Sequence, residues 1–314
     1  MPAVEISQLV KTYPVGKNKL TALDKISFDV NEGEIFGLIG PDGAGKTSLF
    51  RILTTLLIPD SGSAQVLGLD VVRDFREIRK KVGYMPGKFS LYQDLTVEEN
   101  LNFFATVFGT TIKENKYLIE EIYVQIEPFK DRRAGKLSGG MKQKLALCCA
   151  LIHKPSILFL DEPTTGVDTV SRKEFWEMLG RLKKQGITIM VSTPYMDEAT
   201  LCERIALIQD AKIMSVDTPA QIIQQFPDPL FAIRGDQMGK LLKQLRQNPE
   251  VETCNAFGDY HHITLKDNSA GTQTRLIGQL EKENLHIKEL KAITPTIEDC
   301  FIRLMPHNNQ IQRS

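Results

Sequence analysis

The chain has no excess charge of either sign: Lys and Arg together number 39, and so do Asp and Glu. A nucleic-acid binder needs a basic face to displace counterions from phosphates, so this balance, with no Lys/Arg stripe, argues against DNA or RNA partners. Long apolar runs are missing too. None approaches the ~18 residues of a spanning helix. The first residues, MPAVEISQLV, lack a cationic segment followed by an apolar core, so no secretory leader is expected. Cysteine is scarce as well, and Cys148, Cys149, Cys202, Cys254 and Cys300 are odd in number without metal-ligand spacing. They read as reduced, small core residues of a cytoplasmic protein. At 314 residues a single packed core would be strained, so two domains are expected.

What the sequence does contain is phosphate chemistry. Residues 40–47 read GPDGAGKT, behind the apolar run 34–39 and ahead of a helical stretch expected over 48–57. Gly40, Gly43 and Gly45 let the backbone curl into a nest of N–H donors, Lys46 reaches the β- and γ-phosphates, and the Thr47 hydroxyl can ligate Mg²⁺. The nucleotide-binding set is then Gly40, Asp42, Gly43, Ala44, Gly45, Lys46, Thr47 and Ser48. Chance alone gives a lone match of this pattern in on the order of one chain in a hundred, so context decides. Leu49, Ile52, Leu53, Leu56 and Leu57 supply it, with the spacing of one helical face.

Two further marks lie downstream. The run from Ile157 to Glu162 is an apolar strand ending in two carboxylates. Asp161 is suited to hold Mg²⁺ through its water shell, and Glu162 to polarise an attacking water as general base. Alone, the pair would read as the start of a surface turn before Pro163; beside the phosphate loop it reads as catalytic. Ahead of that strand, Leu137, Ser138, Gly139, Gly140 and Gln143 belong to LSGGMKQ, which opens a long apolar helix. A Ser-Gly-Gly at a helix N-terminus offers a hydroxyl, free N–H groups and the positive dipole end to an anion.

Together the three marks resemble the ATP-binding cassette of ABC transporters: phosphate loop, LSGGMKQ signature, and the acidic strand followed by PTTGVD ending at Asp168. The resemblance covers about residues 3 to 225. It implies an α/β P-loop NTPase fold, with a β-subdomain, a RecA-like core and a helical subdomain at about 88–136. It also implies ATP with Mg²⁺, Tyr13 stacked on adenine, Asp168 in a dimer loop, and a second cassette whose site this signature completes. Thr96 and Glu99 fit a capping box within the helical subdomain, and Gly109 fits its close. The domain layout expected is a cassette over 1–226, an accessory domain over 227–305 and a frayed tail over 306–314, with the break at Pro227 and Pro229. In the accessory domain the runs alternate βαββαβ, a small α+β ferredoxin-like layer. His261 and His262 read there as surface strand residues. The ending PTIEDCFIRL resembles that of the drug and polysaccharide export branch.

Two departures from the family pattern carry as much information. Gly87 stands where the family places a glutamine that touches Mg²⁺ and the lytic water, and Pro194 stands where it places the switch histidine. Glycine offers no side chain, and proline neither donates a hydrogen bond nor carries a proton. The chain's own site is therefore expected to bind ATP and hydrolyse it weakly, while its intact signature serves a competent partner. A heterodimer is preferred to a homodimer. The expected assembly joins these cassettes to separate permease subunits, peripheral on the inner face of the cell membrane, as the energy-coupling ATPase of an exporter. The alternatives are a soluble ABC-type ATPase acting on ribosomes or DNA, and a non-hydrolysing regulatory cassette. The first usually carries two cassettes in one chain or a long coiled-coil insertion, and neither is present.

Overall fold

The computed structural model describes residues 2–305; the tail expected to fray, 306–314, lies outside them. Strands β1 (Pro2–Val15) and β2 (Asn18–Asn31) form one long antiparallel ribbon. Several register shifts let that ribbon bend. Next comes β3 (Ile35–Ile39), buried at every position, and then, past the phosphate loop, α1 (Lys46–Leu53). This helix ends before the expected residue 57. The Thr54 hydroxyl donates back to the Phe50 carbonyl at 2.8 Å, and Thr55 takes φ +63°, which leaves Leu56 exposed. With β4 (Ser61–Val66) and β5 (Leu69–Asp70), the ribbon makes a four-stranded antiparallel sheet of order β2-β1-β4-β5.

Beyond α2 (Phe75–Lys81) and β6 (Val82–Met85) come the helices α3 (Val97–Val107) and α4 (Ile112–Tyr123). Each opens on a reciprocal capping box, Thr96 with Glu99 and Thr111 with Glu114, the second of which the sequence reading had missed. Gly109, at φ +70°, closes α3 as expected. The signature helix α5 (Gly139–Leu151), β7 (Ile157–Asp161), α6 (Thr169–Lys184), β8 (Thr188–Thr193), β9 (Arg204–Gln209) and β10 (Lys212–Asp217) follow. They complete a six-stranded sheet of order β10-β9-β3-β8-β7-β6, parallel except for the β9–β10 hairpin. Strands β3, β7 and β8 are buried throughout, which is why they read as unbroken apolar runs. Phe50 of α1 meets Phe159 of β7 edge to face at 5.8 Å, so the helix behind the phosphate loop is packed against the strand that carries the acids.

A second compact unit spans Ala220–Leu304. It contains most of α7 (Pro219–Gln224), then β11 (Leu230–Gly235), α8 (Met238–Gln247), β12 (Val251–Phe257), β13 (Tyr260–Leu265), α9 (Ala270–Lys282), β14 (Ile287–Ile293) and α10 (Ile297–Leu304). All pairings are antiparallel and the order is β12-β13-β11-β14, the ferredoxin-like arrangement of βαββαβ. The division falls ahead of the proline pair because α7 packs with this unit: the buried Cys300 thiol donates to the Ile222 carbonyl at 3.6 Å. The histidine pair is a correction to the sequence reading. His261 is buried and hydrogen-bonds the Met238 carbonyl at 2.8 Å, while His262, stacked on Phe257, pairs with the buried Asp299 at 2.8 Å. Strand alternation put one of them in the core and the other under α10, where Asp299 already joins Thr296 in a capping box. All five cysteines are free and buried, and burial pushes their thiols up from the ordinary range. No helix among the described residues is long and apolar enough to cross a membrane.

Candidate functional site

The phosphate loop joins the C-terminal end of β3 to α1, where an open α/β sheet presents its ligand crevice. Gly45, the N-cap of α1, sits at φ +110°, and a Cβ there would come within 2.1 Å of the Ala22 carbonyl. Only glycine fits. Gly40, Asp42, Gly43, Ala44 and Gly45 thus form the turn, and Lys46, Thr47 and Ser48 begin the helix. A cavity of about 230 Å³ opens over them, lined among others by Tyr13, Gly43, Lys46, Thr47, Ser48 and Glu162. The Tyr13 hydroxyl lies 3.1 Å from Ser48 Oγ, placing the aromatic ring at the cavity wall. Lys46 is only 3% exposed, and its ammonium donates to the carbonyls of Gly40 at 2.7 Å and Pro41 at 3.0 Å and pairs with Glu162 Oε1 at 3.1 Å.

The two acids stand at the end of β7. Asp161 is buried and accepts from the Ser192 hydroxyl at 2.6 Å. Glu162 takes φ +49°, a left-handed conformation unusual for a glutamate, and its N–H donates to both the carbonyl and the hydroxyl oxygen of Ser192 at 3.0 Å. Gly87 lies against both acids: a Cβ there would stand 3.1 Å from the Asp161 carbonyl and 3.7 Å from Glu162 Cβ. Pro194 follows β8 directly, and the carbonyl of its neighbour Thr193 accepts from the Gly40 N–H at 3.3 Å. Position 87 therefore lies beside the two acids and position 194 follows the residue that holds Gly40, and neither carries a side chain that can donate a hydrogen bond or a proton.

The signature sits elsewhere. Ser138 caps α5 with its hydroxyl accepting from the Met141 N–H at 3.4 Å, and Ser138 and Gly139 are exposed while Leu137 is buried. Gly139 and Gln143 line a separate cavity of about 190 Å³ beside Gly87, Glu162 and Gly166, and Gly140 packs near Ser171. Among the residues lining the phosphate-loop cavity there is none from the signature. Asp168 caps α6, accepting from the N–H groups of Val170 and Ser171, and these bonds hold its carboxyl below the ordinary range.

Sequence reasoning missed the groups that hold this arrangement together. Ser192 is one. Glu198 is another: 1% exposed, it accepts from Thr164 Oγ1 at 2.8 Å, Thr193 Oγ1 at 2.6 Å and Arg172 Nε at 3.1 Å. An isolated Glu in a polar segment gives no sequence signal of burial, because its partners are far apart along the chain.

Comparison with known proteins gives this geometry a family. The family model described as ABC transporter matches residues 23–165. The chain is 37% identical over 306 residues to the probable multidrug ABC transporter ATP-binding protein YbhF of Escherichia coli, covering 96% of this chain and 52% of that protein. It thus spans about half the length of that relative. It is 34% identical over 305 residues to the Nod factor export ATP-binding protein I of Burkholderia thailandensis, covering 96% of both. The daunorubicin resistance ATP-binding protein DrrA2 of Streptomyces coeruleorubidus is 32% identical, with 98% of this chain and 96% of that protein covered. Among solved structures, a dimeric ATP-binding cassette in a post-hydrolysis state with ADP and Pi matches with a TM-score of 0.63 and 26% identity, over 68% of this chain and 98% of that one. With a full-length relative above 30% identity and the phosphate-loop, acidic-strand and signature elements all in place, the chain belongs to the ABC transporter ATP-binding family.

Proposed function

We propose that the chain is the ATP-binding, energy-coupling subunit of an ABC exporter. The observation that carries this reading is the phosphate-loop cavity, with a buried lysine, a helix N-terminus and a carboxylate around one anion-sized space. The nest and Lys46 bind the β- and γ-phosphates, Tyr13 stacks on the adenine, and Glu162 orients the water that attacks the γ-phosphate. Among the described residues no cluster of three or more His, Cys, Asp or Glu could hold a metal alone. Mg²⁺ favours a few hard oxygens and takes the rest from phosphates and water, and Thr47 Oγ1 and the Asp161 carboxylate are such oxygens. When bound, Mg²⁺ supplies charge neutralisation between the phosphates. The names of the multidrug, Nod factor export and daunorubicin resistance relatives favour a role in export.

In this reading the functional unit is a pair of cassettes, because the signature is absent from its own chain's phosphate cavity. Gly87 and Pro194 make this chain's own site weak in hydrolysis, so a heterodimer with a competent partner is preferred to a homodimer. Permease subunits would dock at an apolar cavity of about 400 Å³ lined by Tyr84, Met85, Leu91, Phe104, Val107 and Phe108. A short amphipathic helix fits such a groove and would hold the chain on the inner face of the membrane. The test is calorimetry with Mg²⁺-ATP on the purified chain: Lys46→Ala should abolish binding, and undiminished affinity would reject the nucleotide reading.

A further inference from the structure

Ser192 is fully buried on β8, one residue before that strand ends at Thr193. Its hydroxyl carries a single proton, and the 2.6 Å contact with Asp161 Oδ1 fixes where that proton goes, since an ionised carboxylate only accepts. The Ser192 hydroxyl oxygen itself accepts from the Glu162 N–H at 3.0 Å, and so does the Ser192 carbonyl. One residue of β8 therefore grips the side chain of the first acid and the backbone of the second. Glu162 needs that grip, because φ +49° costs free energy unless its surroundings hold it.

The other groups nearby are engaged elsewhere or lack the means. Gly87 has no side chain, the Thr193 hydroxyl donates to Glu198, and Lys46 meets Glu162 only at its carboxylate tip. We infer that Ser192 is a positioning residue that sets the direction in which the Asp161 carboxylate meets the metal–nucleotide complex and the backbone conformation from which Glu162 reaches the water. The inference rests on the reading of Asp161 as the metal-facing carboxylate given above.

The test separates the two. ATP binding to the full chain is measured by calorimetry with Mg²⁺ and with EDTA, and the ratio of the two affinities reports how well the metal is accommodated. Ser192→Ala, a variant of nearly unchanged volume, and Ser192→Cys, which keeps only a weak donor, should lower that ratio about tenfold, the scale of a lost hydrogen bond to a charged group. Affinity in EDTA should stay as in the parent chain, and Asp161→Asn should lower the ratio at least as far. A merely structural role would weaken binding equally in both conditions, and that result would overturn the inference. A ratio kept by the Ser192 variants but lost in Asp161→Asn would also overturn it, while leaving the Asp161 reading standing. A parent chain whose ATP affinity ignores Mg²⁺ would remove both.

Discussion

Lys46 spends all three ammonium protons on its own chain, on two loop carbonyls and on Glu162. A phosphate must displace at least the carboxylate, so nucleotide binding competes with an internal ion pair. Glu162→Asp keeps the charge and shortens the reach by one methylene. It should tighten ADP binding about two- to fivefold, the value of a partly exposed pair, as seen by calorimetry. If only Glu162→Gln tightens it, repulsion between carboxylate and phosphate is the cause and the pair is incidental. A second carboxylate holds the strand that carries Tyr13. Asp60 accepts from Lys11 Nζ and from the Thr12 N–H and hydroxyl, all at 2.7 Å, anchoring the strand beside Tyr13. The Lys11 hydrogen bond and then those from Thr12 pull its carboxyl from 3.8 down to about 2. A carboxyl depressed on folding stabilises fully above its unfolded value, so this anchor is intact above pH 3.8 and is lost only as pH falls toward 2. Asp60→Ala should therefore weaken ATP binding at neutral pH while leaving inorganic triphosphate binding unchanged, since the loop itself is untouched; equal losses for both would place the effect in the phosphate loop.

At the scale of elements, the loop carrying Pro194 is held to α6 and to the turn after Glu162 through one buried carboxylate. Glu198 takes hydrogen bonds from Thr193, Thr164 and Arg172, and the Arg172 guanidinium also lies 4.5 Å from the centre of the Tyr195 ring. Removing that acid leaves the Thr164 and Thr193 hydroxyls and the Arg172 Nε without their acceptor, while the guanidinium keeps its pair with Asp197, so Glu198→Ala should destabilise the chain by about 2 kcal/mol in denaturant unfolding. A loss within the noise would show that water replaces the clamp. This network marks the limit of what was legible in the sequence. GPDGAGKT, the β7 run and the Thr96 box depend on neighbours a few residues away, and each element was read correctly. The boundary of α1 depended on one threonine turning its hydroxyl inward. The partners of His261, His262, Ser192 and Glu198 depended on strands that meet only after folding, so the histidine pair that read as surface proved to be partnered, one buried and one part-buried, and the bonds of Ser192 and Glu198 gave no sequence signal.

For the whole molecule, the question is which site each residue serves. The signature of this chain is absent from the lining of the phosphate-loop cavity, so in a head-to-tail pair its Ser138 would face the partner's nucleotide, whereas Glu162, ion-paired with Lys46, would serve the nucleotide held by that lysine. In the proposed reading Gly87 and Pro194 weaken only the second of these. Loss of one positioned charge-stabilising or proton-transferring group typically costs about 10² to 10⁴ in rate, so Glu162→Gln would remove activity from a site that contributes little. Ser138→Arg places a bulky cation at an exposed helix N-terminus, where it opposes the dipole and blocks the approach of phosphate to a site that contributes most of the turnover. In the assembled transporter, Ser138→Arg should therefore lower ATPase activity far more than Glu162→Gln, and the isolated parent chain should bind ATP yet turn it over slowly. The opposite ranking, or brisk hydrolysis by the chain alone, would mean that the two sites are equivalent and that groups other than those at 87 and 194 complete this one.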